Sequence, residues 1–149
     1  PVTFKFVVAQ TPETALCDSP DEIEQIGGTM DDETQTFLDS LDVSLPSSET
    51  ARRCAAYVRK RFKYPEDEGE RNAMNSLYLA AGNNVVSSIT QHGTVDCYWS
   101  NIFFGEMLAQ LGIYHRVIAG HFVQKDPRFD FAAIAGIGHA WSEVWDGEQ

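Results

Sequence analysis

The twenty residues from Gly93 to Gly112, GTVDCYWSNIFFGEMLAQLG, decide how this chain is read. Phe103, Phe104, Met107, Leu108 and Leu111 recur at three- and four-residue steps, so the stretch from Cys97 predicts a helix, and Gly112 supplies a residue suited to closing it. A glycine-led loop precedes that helix, which puts Cys97 in its first turn. The start of a helix carries unsatisfied N–H groups and the positive end of the helix dipole, and both stabilise a thiolate. The same N–H groups can donate to a tetrahedral oxyanion, so the Cys97 backbone is a candidate oxyanion donor. Plain packing of the thiol under Trp99 and Phe103 accounts for the position equally simply.

Working outward, Ser47 to Tyr64 (SSETARRCAAYVRKRFKY) places Ala51, Cys54, Ala55, Val58 and Phe62 on one helical face, with Ser47 and Ser48 as candidate caps and Pro65 as the stop. Cys54 falls inside the apolar stripe and reads as core. Asn72 to Gly82 predicts a second helix, and VVSSITQHG carries the chain from there to the quoted loop. Downstream, 114–123 and 137–145 alternate as strands, 124–136 reads as a loop, and Asp146-Gly147 is a hairpin signal. TFKFVVA near the start reads as a strand, and 11–36 as loop with short helical turns. Helices precede strands, so the class is α+β with an antiparallel sheet. Residues 1–47 read as an N-terminal extension and 48–149 as one core.

Composition narrows the partners. Eleven basic against 22 acidic residues give a net charge of −11, which repels a phosphate backbone and argues against nucleic acid. The one basic cluster, Arg52, Arg53, Arg59, Lys60, Arg61 and Lys63, is followed by EDEGE and reads as a solvated, self-compensating surface. No run approaches the roughly 18 apolar residues of a membrane span. Cys17, Cys54 and Cys97 are odd in number, widely spaced and without a CxxC pair, which argues against a disulfide scaffold or structural zinc; free thiols lean towards the cytoplasm, but the compartment stays open. No metal or cofactor is expected: DPRFD and EDEGE lack calcium-loop spacing, and His115 and His121 have no third ligand. The opening proline points to a processed product or a domain cut from a longer chain.

A nucleophilic thiol needs a base. Of His92, His115, His121 and His139, the last is the best candidate, because Gly138 allows close approach and Trp141 can wall the ring from water.

GTVDCYWSNIFFGEMLAQLGIYHRVIAGHF, followed after a loop by GHAWSEVWDG, resembles the transglutaminase-like superfamily over about residues 48–149. The matching positions are Cys97, Leu111, Gly112, Ile113, Arg116, Val117, Gly120, His139, Ala140, Trp141, Glu143 and Val144. The resemblance implies a fold related to papain-like cysteine proteases, with Cys97 as nucleophile on a helix packed against an antiparallel sheet that carries His139 as base. It implies acyl transfer on amide bonds of peptide or protein substrates through a thioester, to water or to a primary amine acceptor. Tyr98, Trp99 and Trp141 would wall that site.

Two parts of the family pattern are not in place. Its third catalytic member, an aspartate on the strand after His-Ala-Trp, is expected beyond Gln149, near position 154 if Asp146 and Gly147 turn a hairpin; the sheet would then present an open edge at 149. Glu143 is no substitute, since four strand steps put it about 13 Å from His139; an ion pair with Arg116 is the expectation instead. The tryptophan that some members use as oxyanion donor is also missing, which leaves Gln91, six residues before Cys97 as in papain-like proteases, and Tyr78 as candidates. Three readings follow. They are a thiol enzyme using Cys97 and His139, an inactive transglutaminase-like binding or scaffolding domain, and a ligand-binding domain with a stoichiometric reactive thiol.

Overall fold

The computed structural model describes residues 28–42, 44–125 and 132–145. The opening strand at 3–9, Cys17 and the Asp146-Gly147 turn lie outside them. The fold is α+β, mostly helical with a small antiparallel sheet. Among the described residues five helices run in order, α1 (Asp32–Asp39), α2 (Ser47–Arg61), α3 (Glu68–Ala81), α4 (Val85–His92) and α5 (Cys97–Gln110), with a 3₁₀ turn at Gly82–Asn84; strands β1 (His115–Lys125) and β2 (Ala132–Val144) follow. Among the described residues no helix is long and apolar enough to cross a membrane.

α5 is the middle of the molecule. Every residue from Trp99 to Leu108 is buried, because α2, α4 and both strands pack around it. The expected face of Phe103, Phe104, Met107 and Leu108 is in the core, but the helix is covered on all sides rather than along one stripe. Gly105 lets β1 close in, since a Cβ there would come within 2.7 Å of Nε2 of His115. α2 buries Ala51, Cys54, Ala55 and Val58 as its spacing predicts, while Phe62, also buried, is the extended residue just past its end rather than part of the helical face. Its start differs from expectation: Pro46 is the N-cap and makes no side-chain cap bond, while Ser47 is already helical, so neither serine caps the helix. The Pro46 carbonyl instead accepts from the Glu49 and Thr50 N–H groups, at 2.9 and 3.0 Å.

Two helices go beyond the sequence expectation. α1 occupies part of the stretch read as loop, with Asp31 accepting from the Thr34 N–H at its start. Its residues 30–41, counted above with an extension, share the core: Met30, Leu38 and Leu41 are buried against it, and the Phe37 and Tyr57 rings stack at 4.2 Å. Arg61 is correspondingly not a solvated cation. It is mostly buried, and it pairs with Asp31, the N-cap of α1, and with Glu33 in its first turn at 3.0 Å, rather than with the acidic run that follows it. Burial works against the Asp31 carboxylate, yet hydrogen bonds from Thr34 and Arg61 hold its pKa below the usual value. α4 buries Val85, Val86 and Ile89 at helical spacing and ends at Gly93, whose φ of 77° is left-handed.

β1 and β2 pair antiparallel with Arg116 opposite Glu143, Ala119 opposite Ala140 and Gly120 opposite His139. The ladder takes in Gln124, Lys125 and Ala132 to Ile134, so both strands run into the segment expected to be loop, past an irregularity between His121 and Val123. A parallel bridge between Lys63 and Thr94 ties the end of α2 to the turn before α5, through Lys63 N–H to Gly93 O at 3.0 Å and Val95 N–H to Lys63 O at 2.8 Å.

Candidate functional site

Cys97 is the first residue of α5 and is half-buried. Asp96 caps the helix, its Oδ1 accepting from the N–H groups of Tyr98 at 2.9 Å and Trp99 at 3.0 Å. Two of the donors available to a thiolate or an oxyanion at this helix start are therefore held by a carboxylate next to the thiol. Tyr64 stands near Cys97, next in the chain to Lys63 of the bridge with Thr94. Burial first, then the proximity of Cys97, raises the Tyr64 pKa, while the Arg71 guanidinium, 5.7 Å from the ring centroid, works the other way.

Four residues into α5, Asn101 is buried and spends its whole carboxamide on the junction with β2. Its Nδ2 donates to Cys97 O at 2.7 Å and to Ala140 O at 3.2 Å, and its Oδ1 accepts from Ser142 Oγ at 2.5 Å. One side chain thus joins the turn that begins at Cys97 to the strand that carries His139. α5 and β2 run in the same direction: Asn101 meets Ala140 and Ser142, and one turn later Gly105 meets His115, whose ladder partner is Val144. Four helical residues rise about 6 Å and two strand residues about 6.6 Å. On these rises the Cys97 end of α5 corresponds to the stretch of β2 that precedes Ala140.

The pleat sets the side-chain directions. Ala140 and Ser142 are buried towards α5, so the alternate residues His139, Trp141 and Glu143 stand on the other face of β2, half-buried. On that face Glu143 takes the Arg116 Nε–H at 2.6 Å, the expected ion pair. Trp141 lies across Gly120, where a Cβ would come within 2.9 Å of the indole. His139 is opposite Gly120, so its ring has a glycine rather than a side chain across the ladder.

The other sequence-predicted site residues separate into two groups. Trp99 and Tyr78 belong to the packing beneath the start of α5. Trp99 is buried and donates from Nε1 to Asn75 Oδ1 at 2.6 Å, with its ring edge-on to Tyr78 at 5.2 Å. Tyr78 is buried and donates its hydroxyl proton to Thr94 O at 2.5 Å, with His92 Nδ1 at 3.2 Å; burial pushes its pKa upward. That proton braces the loop before Cys97. Tyr98 is exposed beside Cys97, its ring edge-on to Trp99. Gln91 is exposed in the last turn of α4, and His92 ends that helix rather than lying in a loop.

A cleft of about 100 Å³ opens between α2 and the first turns of α5, with Tyr64, Lys63, Arg59 and Asn101 among its lining residues. Among the described residues no group of three His, Cys, Asp or Glu side chains could hold a metal ion. Sequence reasoning missed Asp96, Asn101 and Tyr64. For the first two there was a signal: an aspartate immediately before an apolar helical run is a capping residue, and an asparagine inside one needs buried partners. Tyr64 carried no signal, because only the Lys63–Thr94 bridge brings it to Cys97.

No family model, no curated protein and no solved structure matches this chain.

Proposed function

We propose that this chain is a thiol-dependent acyl-transfer enzyme of transglutaminase-like, papain-related architecture, acting on amide bonds of peptides or protein side chains. The observation that supports the reading is the Asn101 carboxamide, bonded at once to Cys97 O and Ala140 O, which ties the turn that begins at Cys97 to the strand that carries His139. In this reading His139 takes the thiol proton, and the Cys97 sulfur attacks the amide carbon. The C–N bond breaks, the amine leaves with the proton from His139, and a thioester remains. Water or a primary amine then gives a proton to His139 and its heavy atom to the acyl carbon, which releases the sulfur.

A second reading, an inactive binding or scaffolding domain, draws on two features of the same site. His139 stands on the face of β2 opposite Ala140 and Ser142, and the Asp96 carboxylate holds helix-start donors that a thiolate would use. The experiment is ammonia release and amine incorporation from glutamine-containing peptides by the protein, by Cys97→Ala and by His139→Ala. The enzyme reading expects each substitution to lower kcat/KM by about a thousandfold or more. Turnover that survives Cys97→Ala, or no turnover with any of the peptides, overturns it.

A further inference from the structure

We propose that Asn101 is a positioning residue, fixing the register between the turn that begins at Cys97 and the strand that carries His139 by clamping the first turn of α5 to β2; this rests on the reading above. The clamp has no slack. Asn101 has two N–H donors and one carbonyl, and its three bonds go to Cys97 O, Ala140 O and the Ser142 hydroxyl. Ser142 fixes the amide's orientation, because a hydroxyl donor at Oδ1 leaves the nitrogen facing the two backbone carbonyls. Both residues are buried, so water does not offer substitute partners. Each carbonyl belongs to the moving parts themselves: Cys97 O is on the nucleophile's own residue, and Ala140 O is one peptide from His139. Aliphatic packing would hold the helix on the sheet but would let it slide. A shared amide fixes the register, and a shift of about 1 Å between reacting groups costs on the order of a hundredfold in rate. Asn101 touches neither substrate nor thiol in this account and acts only through the two chain segments it joins.

The measurement needs no substrate. The rate at which iodoacetamide alkylates Cys97 at pH 7 is compared in the protein and in His139→Ala, and the ratio reports how strongly the imidazole acts on the sulfur. The same ratio is then measured with Asn101→Leu present, which keeps the branched shape and does not weaken the helix but removes all three bonds. The wild-type ratio is expected at about tenfold or more, and with Asn101→Leu within about twofold of one, at a temperature where the variant is folded by circular dichroism. If Asn101→Leu does not fold, Ser142→Ala decides in its place, since it frees the amide to turn while leaving the packing. A ratio that survives in the folded variant overturns the positioning role and leaves the Cys97–His139 reading standing. A wild-type ratio near one removes that reading, and the positioning role falls with it.

Discussion

Cys54 and Cys97 are both helical thiols in the same small domain, and they occupy opposite chemical situations. Cys54 lies mid-helix in α2, wholly buried, and its burial among apolar side chains pushes the thiol up to about 12. Cys97 opens α5, half-exposed, between the Asp96 carboxylate, the Tyr64 hydroxyl and the Asn101 clamp. Residue type is shared, so the difference comes from position alone. A helix interior supplies no free donor and no water, whereas a helix start supplies both. The polar neighbours of Cys97 are therefore those that only a helix end and a nearby strand can bring together.

The largest expected effect is in labelling. Under native conditions Cys54 reacts only when the core opens, and openings that expose α2 cost several kcal/mol. Iodoacetamide is expected to modify Cys97 about a thousandfold faster than Cys54 or more, read by peptide mass mapping so that Cys17 is scored separately. Comparable rates for the two would mean that α2 opens freely, and the contrast drawn from burial would be void.

Much of this contrast was legible in the sequence. Ala51, Cys54, Ala55 and Val58 appear in the core as their spacing predicts, because an amphipathic helix has one way to bury an apolar face. Cys97 at a helix start followed from where the α5 pattern begins. The two strands 114–123 and 137–145 were equally readable from alternation, but their pairing with each other and its length were not, since alternation names no partner and Gln124, Lys125 and Ala132 to Ile134 do not alternate cleanly. α1 and α4 escaped for a related reason: at eight residues each they are too short for periodicity to stand out, and tertiary packing stabilises them. The partners of Cys97 escaped most completely. Asn101 finds Ala140 39 residues away and Ser142 41 away, and no local pattern encodes a register between a helix and a strand.

A smaller effect separates the two thiols thermodynamically. Cys54→Ser puts a hydroxyl in place of a buried sulfur among apolar neighbours, with only a back-bond to the preceding helical turn to satisfy it, and is expected to cost about 2 kcal/mol. For a chain of this size that is about 5 °C in Tm by differential scanning calorimetry. Cys97→Ser, half-exposed beside polar groups, is expected to stay within about 0.5 kcal/mol of the parent. A Cys97→Ser loss as large as that at Cys54 would make Cys97 a packing residue and erase the distinction.

The smallest effect is the sharpest, because it isolates charge from exposure. Asp96→Asn keeps a capping oxygen for the Tyr98 and Trp99 N–H groups, so the helix start survives, with stability changed by about 1 kcal/mol or less through the lost charge–dipole attraction. What it removes is a negative charge one residue from a sulfur that reacts as an anion. At the protein surface such a neighbour is worth on the order of 1 kcal/mol, so Cys97 alkylation at pH 7 is expected to rise about threefold while Cys54 does not change. Added salt should shrink the gain, since screening already does part of what the substitution does. An unchanged rate would show that the sulfur does not feel the Asp96 charge, and the difference between the two thiols would then reduce to exposure alone.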